Sequence, residues 1–498
     1  MSRHQKPAAP APRRPGPKGW PGRDRGEATL IDPAAEFRGT TVQVCGLWPW
    51  VVGSGTPMVG VPLGRHIITG ATLCCDPISW FQRAKLIRNP SVFFLGLTGL
   101  GKSTAVRRMA TGLAGYGVLP IVLGDLKPDY IDMVTALGGQ VITLGRGRGH
   151  LNILDPGEAK HAARRLRDAG HEKQAQEVEA DAHARRLTMV SALLTILRKQ
   201  PPSDVEESVL DQALRVLDHQ ATHTPVLADL LAIVQQGPAA VREVAVDRGD
   251  FSEYQRITRG LEASLISLTR GGRLGEIFAH PTTNPMQLDR PVVYDVSSIT
   301  EADHDVRAAV LLACWSNGFA TVNIAQVLAD AELEQRRHYF VIMDELWQAL
   351  RSGSGIVDRV DSLTRLNRQV GVGTAMITHT MSDLRALPTP EDYLKAKGFV
   401  ERAGMVICGG LPQAEMVDLT PVIGFSQAEQ AMLASWQDPP AWDSRRGQEA
   451  EPPGLGKFLV KVGGRPGIPI RVDLTRTEQH IHDTNKLWHQ RSRVGARP

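Results

Sequence analysis

Residues 96–103, Gly-Leu-Thr-Gly-Leu-Gly-Lys-Ser, constrain this chain more than any other stretch. The pattern G-x-x-x-x-G-K-[ST] works only with a buried strand ahead of it and a helix that starts at the lysine. Both flanks are present. Val92 to Leu95 is a short apolar run of buried-strand type, and Thr104 to Ala110 reads as the opening of a helix. In such a turn the backbone N–H groups point inward and the helix dipole favours negative charge, so the loop is an anion site. Gly96, Leu97, Thr98, Gly99, Leu100, Gly101, Lys102, Ser103 and Thr104 are the expected cradle for the phosphates of ATP. Lys102 would reach the β- and γ-phosphates, and the Ser103 hydroxyl would sit on Mg²⁺. With 48 glycines in the chain a chance match is conceivable, but the flanking strand and helix argue against it.

The rest of the chain supplies the sheet such a loop needs. Leu119 to Leu123 is a second buried strand, and it ends in Gly124-Asp125-Leu-Lys127-Pro-Asp129-Tyr130. Polar residues at the carboxyl end of an α/β strand lie at the ligand crevice, which makes Asp125 a candidate nucleotide contact. Gln140 to Leu144 comes next at αβ spacing, so strand, helix and strand imply right-handed crossovers and a doubly wound sheet. Further on, Pro291 to Val296 is a strand ending in an acid, followed by a helix through Ala308 to Ala320. His338-Tyr-Phe-Val-Ile-Met-Asp344-Glu345 is an apolar run ending in two acids, the Walker B pattern. Asp344 would hold Mg²⁺, and Glu345 would orient and deprotonate the attacking water. Thr374 to Thr378 is a further strand, with His379 at its tip facing the γ-phosphate position. Arg365 and Arg368 lie just upstream, on a segment read as a helix. They are placed to meet a neighbouring subunit's nucleotide, although a solvated helix face reads equally well. Gly404 to Cys408 is the last core strand.

A chain of 498 residues is too long for one ordinary core. Residues 1–27, rich in Pro, Ala, Gly and Arg, read as a disordered basic tail. Residues 28–90 alternate short apolar runs (among them Met58 to Val61 and His66 to Thr69) with Gly and Pro, a small β-rich segment. The α/β core occupies 91–156 and 272–475. Between them, 157–271 is rich in Arg, Ala, Glu and Leu with helical spacing at Leu187, Val190 and Leu194 and at Leu210, Leu214 and Leu217. This is expected to be an all-helical insertion that folds apart from the core. Ser203 to Glu206 and Ser426 to Glu429 are capping boxes. Lys457 to Val462 and Ile468 to Leu474 read as an edge hairpin, and 476–498 as a tail.

The net charge of +4 permits a nucleic-acid partner without demanding one. The five cysteines form no C-x-x-C, as expected of a reduced cytoplasmic chain. The longest uncharged stretch, 39–64, is broken by Gly and Pro, so no spanning helix is expected. His480 and His482, without a further Cys or His pair nearby, read as surface residues rather than a zinc site.

Taken together these motifs resemble the FtsK–HerA superfamily of RecA-like motors, and most closely the large cytosolic ATPases of conjugation and type IV secretion. The likeness runs from about Pro57 to Glu478. It includes Gly60 to Gly64, Gly96 to Ser103, Asp125 and Lys127 with Asp129-Tyr130, Leu137-Gly-Gly, and Asn152-x-Leu-Asp155. It continues through Gly275-x-Ile-Phe278, Tyr294-Asp-Val-Ser297, Asp344-Glu345, Arg368 to Gly371 and Thr378. Where the family often has Gln after that threonine, this chain has His379. The resemblance implies a RecA-like P-loop ATPase using ATP and Mg²⁺, a hexamer with ATP between subunits, and Arg368 or Arg365 supplied in trans. It also implies a cytoplasmic protein, peripheral at the inner face of the membrane without spanning it. Its partners would be a conjugation or secretion membrane complex and DNA held through backbone contacts. Two other readings stand beside it. One is a DNA translocase or coupling motor of the same superfamily. The other is a nucleotide-dependent assembly scaffold with little turnover, for which Glu345 would be superfluous.

Overall fold

The computed structural model describes residues 56–220, 223–351, 357, 360, 361, 371–387, 389–440, 442, 443 and 448–481. The basic tail, the first half of the β-rich segment, most of the 476–498 tail, Arg365 and Arg368 lie outside the described residues. In chain order the strands are β1 (Pro62–His66), β2 (Thr72–Cys74), β3 (Ser91–Leu95), β4 (Val118–Asp125), β5 (Gln140–Thr143), β6 (Val292–Asp295) and β7 (His338–Met343). Then come β8 (Val372–Ile377), β9 (Met405–Cys408), β10 (Trp442–Asp443), β11 (Gln448–Glu449), β12 (Lys457–Lys461) and β13 (Ile468–Val472). Eleven of them form one sheet in the order β2-β1-β13-β12-β9-β3-β8-β7-β4-β6-β5, and β10 pairs with β11 separately. Among the helices, α1 (Pro77–Gln82) precedes β3, α2 (Lys102–Gly115) comes after it, and α3 (Ile131–Ala136) joins β4 to β5.

From β9 to β5 every pairing is parallel. Parallel strands are covered on both faces, which is why their sequences are continuous apolar runs rather than alternations. All five residues of β3 and all six of β8 are buried. The two faces of β3 divide by parity. Val92 and Phe94 pack with Val106, Met109 and Leu113 of α2. Phe93 and Leu95 face Leu311, Trp315 and Phe319 of α11 (His304–Asp330).

The β4–β6 register shifts between Val122 and Asp125, and the Trp315 indole N–H donates to the Leu123 carbonyl at 2.7 Å within that irregularity. Gly124 is required there. Its φ of +112° belongs to glycine, and an added Cβ would meet the Leu311 side chain at 2.3 Å. This kink sets the path of the segment after β4 that reaches the site.

Antiparallel pairings β9–β12, β12–β13, β13–β1 and β1–β2 extend the sheet on one side. The β12–β13 hairpin expected at an edge is therefore interior, because β1 and β2 cover its outer strand. Of the apolar run His66 to Thr69, His66 ends β1, and Ile67 to Thr69 lie in the turn between β1 and β2. The His66 ring accepts the backbone N–H groups of Ile68 and Thr69, and Gly70 N–H closes the turn on His66 O at 2.9 Å. Both expected capping boxes are present: Ser203 with Glu206, and Ser426 with Glu429.

Between β5 and β6 lie α4 (Ala159–Asp168), α5 (Glu172–Arg198), α6 (Asp204–Gln220), α7 (Leu227–Gln236), α8 (Ala239–Ala245), α9 (Phe251–Thr269) and α10 (Gly275–Phe278). They do not stand apart from the sheet. Met189, Val190, Leu193 and Leu194 of α5 belong to the same buried cluster as Trp315 and the sheet residues Phe93 and Ile121. A second cluster joins Ala162, Leu166 and Val178 to Ile324 and Leu328 of α11. Arg186 on α5, 3% exposed, is tied to Asp218 on α6 at 2.8 and 2.5 Å.

Helix α11 thus has the sheet on one side and α4 and α5 on the other. It is 27 residues long and apolar enough to cross a membrane by length and composition, contrary to the expectation from sequence. Burial of 83% of its most apolar window inside the protein explains that composition, since a helix buried all round is apolar all round. We expect that replacing residues 159–269 by a short linker strips this cover and yields a chain that binds a hydrophobic dye and loses cooperative thermal unfolding. The milder Leu193→Ala should lower stability by about 2–5 kcal/mol in urea unfolding. A trimmed chain that unfolds cooperatively at the parent temperature would show that the helices fold apart after all.

Candidate nucleotide site

The loop after β3 is held from both sides. Gly96 N–H donates to His379 O at 2.9 Å, Leu97 N–H to Gly410 O at 3.0 Å, and Gly456 N–H donates to Leu100 O at 3.0 Å. Gly96, Gly99 and Gly101 all have positive φ, at 152°, 84° and 96°. Gly101 is the N-cap of α2 and provides no side-chain cap, so the first-turn N–H groups meet no acceptor from the capping residue.

Lys102 opens that helix with its side chain folded back over the loop. Its ammonium donates to Gly96 O at 2.5 Å, to Leu97 O at 3.1 Å and to His379 Nδ1 at 3.0 Å. Burial pushes its pKa down to about 8, against the opposing pull of Asp344 and Glu345. Thr98 Oγ1 lies 3.4 Å from the same imidazole nitrogen.

The acid pair comes directly after β7. Asp344 accepts the Tyr130 hydroxyl at 2.9 Å and the Glu345 N–H at 2.8 Å. Burial, then repulsion from Glu345, raises its pKa to about 6. Glu345 has a left-handed φ of +52° and is 7% exposed. Its Oε1 faces Lys127 Nζ at 3.1 Å, and its Oε2 faces Trp347 Nε1 at 2.7 Å and His379 Nε2 at 3.2 Å. Burial alone would raise its pKa, but the His379 contact and the Lys127 ammonium outweigh it and hold the carboxyl at about 2. Lys102 Nζ meets one nitrogen of the His379 ring, Nδ1 at 3.0 Å, and the other, Nε2, lies 3.2 Å from Glu345 Oε2. One imidazole therefore links the loop lysine to the Walker B glutamate.

Beside Ser103 lies Asp129. Burial raises its pKa, while the Arg107 guanidinium and a hydrogen bond with Ser103 pull it down. Arg107 also donates to Asp129 O at 2.6 Å and to Thr104 Oγ1 at 3.1 Å, tying α2 to the segment after β4. Asp125 turns its carboxylate onto the N–H groups of Asp129 and Tyr130, at 3.1 and 2.8 Å. It shapes that turn, and Asp129 is the acid beside Ser103.

The structure thus brings Lys102, Thr98, Asp344, Glu345 and His379 together around the loop, with Ser103 on the helix that opens there. Sequence reasoning gives Lys127, Asp129 and Tyr130 no roles, and it misses Trp347. Position at a strand tip is the available signal for the first three. For Trp347 the signal is its place two residues after the glutamate.

The residues fit a triphosphate with Mg²⁺. The ammonium of Lys102 is hydrogen-bonded to two loop carbonyls and an imidazole beneath a helix N-terminus whose cap offers no side chain. Asp344 is an acid under repulsion from its neighbours, close to where a cation would relieve it. No group of three or more metal-binding side chains is found among the described residues, and Mg²⁺ at a phosphate takes one or two carboxylates and completes its shell with water and phosphate oxygens.

Holding Lys102 buried and charged costs stability. The unfolded chain binds this proton more tightly (pKa ~10.4), so protonation favours unfolding. The penalty is complete below pH 8 and fades as pH rises towards ~10.4. Lys102→Met should therefore raise the nucleotide-free melting temperature at pH 7 by roughly 2–4 °C, with the gap narrowing by about pH 10. A gap independent of pH would contradict the buried ammonium.

Residues 89–314 match the family model described as the central domain of helicase HerA. No curated protein matches the sequence. The fold is similar to that of VirB4 of Thermoanaerobacter pseudethanolicus, with a TM-score of 0.62 at 16% identity over 86% of this chain and 100% of that chain. The plasmid coupling protein TrwB in complex with ADP and Mg²⁺ aligns at a TM-score of 0.46 and 12% identity, over 78% of this chain and 85% of that chain. The cytoplasmic domain of the Thermomonospora curvata type VII secretion ATPase EccC aligns at 0.31 and 12%, over 88% of this chain and 32% of that chain. The HerA central-domain match thus falls on the stretch that carries the P-loop and the strands β3 to β6 of the RecA-like sheet.

Proposed function

We propose that the protein is a Mg²⁺-dependent ATPase motor of a conjugative transfer or type IV secretion-like system, working as a hexamer with ATP between subunits. The observation that carries the hydrolytic part is the convergence of Lys102, Glu345 and His379 at the carboxyl ends of the adjacent parallel strands β3, β7 and β8. The likeness in fold to VirB4 supports the placement among secretion and conjugation motors.

In this reading Lys102 leaves the Gly96 and Leu97 carbonyls and turns its ammonium to the β/γ-phosphate oxygens. The loop N–H groups hold the same oxygens. Ser103 and Asp344 hold Mg²⁺, which neutralises charge on the β- and γ-phosphates when bound. Glu345 orients a water for in-line attack and takes its proton as the bond to the β–γ bridging oxygen breaks. His379 donates a hydrogen bond to the γ-phosphate or to that water. Asp125 acts behind the contact surface, through the turn that carries Asp129 and Tyr130. Any DNA is held through its phosphates by scattered Lys and Arg, and binding falls with salt.

Lys102→Ala and Glu345→Gln should both abolish hydrolysis, for different reasons. The first removes charge from the phosphates and weakens ATP binding. The second keeps shape and loses the base, so ATP still binds and is trapped. Equal loss of ATP affinity in both variants, by equilibrium titration, contradicts these roles.

Arg368, or Arg365 three residues earlier, is proposed to complete the site of the neighbouring subunit by stabilising charge on the transferred phosphoryl group. Such arginines contribute ~10³- to 10⁵-fold in well-studied phosphoryl transfers, and less is expected in a slow motor. Arg368→Ala should fold and bind ATP but hydrolyse it poorly. Mixed with Glu345→Gln subunits, it should recover part of the activity, because some interfaces then pair an intact Glu345 with an intact Arg368. Co-assembly without recovery refutes the shared site.

A further inference from the structure

Glu345 is the most heavily partnered acid in the site. Lys127 takes one oxygen, while His379 and Trp347 share the other. His379 also meets Lys102 and Thr98 of the loop, where an incoming anion competes for its contacts, and Lys127 is a half-exposed ammonium that the same anion attracts. Trp347 differs from both. Its indole N–H makes the shortest of the three contacts, 2.7 Å, and an indole N–H is a donor that neither titrates nor reorients. It sits in the first turn of α12 (Leu346–Leu350), directly after the left-handed backbone of Glu345, so its place is set by main chain rather than by a long flexible stem.

The ring is held from outside as well. The Arg351 guanidinium lies 5.0 Å from its centroid, and the His379 ring 6.4 Å from it at a tilt of 50°. Its neighbour Gln348 accepts from Arg307 of α11 at 3.4 Å. Trp347 also lines a cavity of about 330 Å³ with Lys199, His304, Asp305, Gln348 and Arg351. Lys199, at the end of α5, pairs there with Asp305 in the first turn of α11. The indole therefore has one end on the catalytic carboxylate and its body against the junction of α5, α11 and α12.

We infer that Trp347 is a positioning residue for hydrolysis: its indole N–H aims the Glu345 carboxylate at the attacking water after the phosphates have drawn Lys127 and His379 away. The inference rests on the proposed role of Glu345 as the base. It adds a residue whose role is geometric and whose loss leaves phosphate binding intact. With Lys127 and His379 turned to the phosphates, the indole is the remaining contact among those described that keeps the carboxylate in place. Without it turnover falls while ATP affinity stays.

Trp347→Phe keeps an aromatic side chain but removes the N–H together with the five-membered part of the indole, so its melting temperature is measured beside its turnover to set aside a packing loss. Loss of one hydrogen bond to a charged group should lower kcat about 10- to 100-fold. The ATP dissociation constant, measured by competition with a fluorescent nucleotide, should stay within about twofold. Joined to Glu345→Gln, Trp347→Phe should add no further loss to the residual rate, since it acts through a carboxylate already gone. Wild-type kcat in Trp347→Phe overturns the inference, and so does a parallel loss of ATP affinity, which is what a purely structural role would give.

A readout independent of turnover separates this inference from the ATPase reading. The emission of Trp347, taken as wild type minus Trp347→Phe, should shift in Glu345→Ala because its hydrogen-bond acceptor is removed. No shift overturns the contact itself. A shift in a wild-type protein without Mg²⁺-ATP turnover leaves the contact in place and overturns both the hydrolytic reading and the proposed catalytic role of Trp347.

Discussion

The parallel register of β3, β8 and β7 is the constraint on which the site depends. Phe94 is opposite Ile377, and Met376 is opposite Met343, so the three strands end within about a residue of one another. The segments leaving their carboxyl ends are then forced into the same small volume: the glycine loop after β3, His379 after β8, and Asp344-Glu345 after β7. No side-chain interaction could assemble groups as far apart in sequence as Lys102 and His379, 277 residues, if the ladder slipped. A one-residue shift would turn His379 to the other face. The ladder is fixed by burial on both sides: α2 covers one face and α11 the other. The helices between β5 and β6 matter to the site at one remove, since they are what keeps α11 out of water.

Much of this is legible in the sequence for a specific reason. Buried parallel strands are continuous apolar runs, and each core strand read from such a run is present within a residue or two of its expected bounds. The P-loop, the acid pair and both capping boxes are local patterns, and local patterns survive folding. The illegible features depend on distant partners. The β12–β13 hairpin has the alternation of an edge, and nothing within it tells that β1 will pair with β13. His66 to Thr69 has strand-like β-branched residues, but the His66 ring caps its own turn. Helix α11 is apolar enough to span a membrane, and only the packing of α4 and α5 on its far side explains why.

The site shows the same division. Lys102, Ser103, Asp344 and Glu345 announce themselves by motif, whereas Asp125 stands out only because it ends a strand. It does end β4, but the kink at Gly124 directs its carboxylate onto the next turn's N–H groups. That turn carries Lys127, Asp129 and Tyr130 to Glu345, Ser103 and Asp344 respectively. Each of the three touches a motif residue from outside the motif, a relation with no local sequence signature. Trp347 escapes for a related reason. A tryptophan near an apolar strand reads as core, and only the left-handed turn at Glu345 brings its N–H back onto the carboxylate.

The charges around Glu345 bear on what state of the site this is. A carboxyl held at about 2 is a weak base, and an ammonium folded onto carbonyls of its own loop is not aimed at a ligand. Taken separately these features argue against hydrolysis. Taken together they are one arrangement, because His379 sits between the two groups and satisfies both. Lys127 faces Glu345 directly, while Asp344 stays under the repulsion of Glu345 and Asp129, with its carboxyl raised to about 6. An anion that drew His379 and Lys127 away would leave Glu345 without the groups that depress it, and its carboxyl pKa closer to its ordinary value. The strength of the base is then coupled to occupation of the loop, since the groups that depress it are the ones phosphate attracts. Among the described partners of the Glu345 carboxylate the neutral indole is exempt from that competition, which is why its orientation falls to Trp347 rather than to Lys127 or His379.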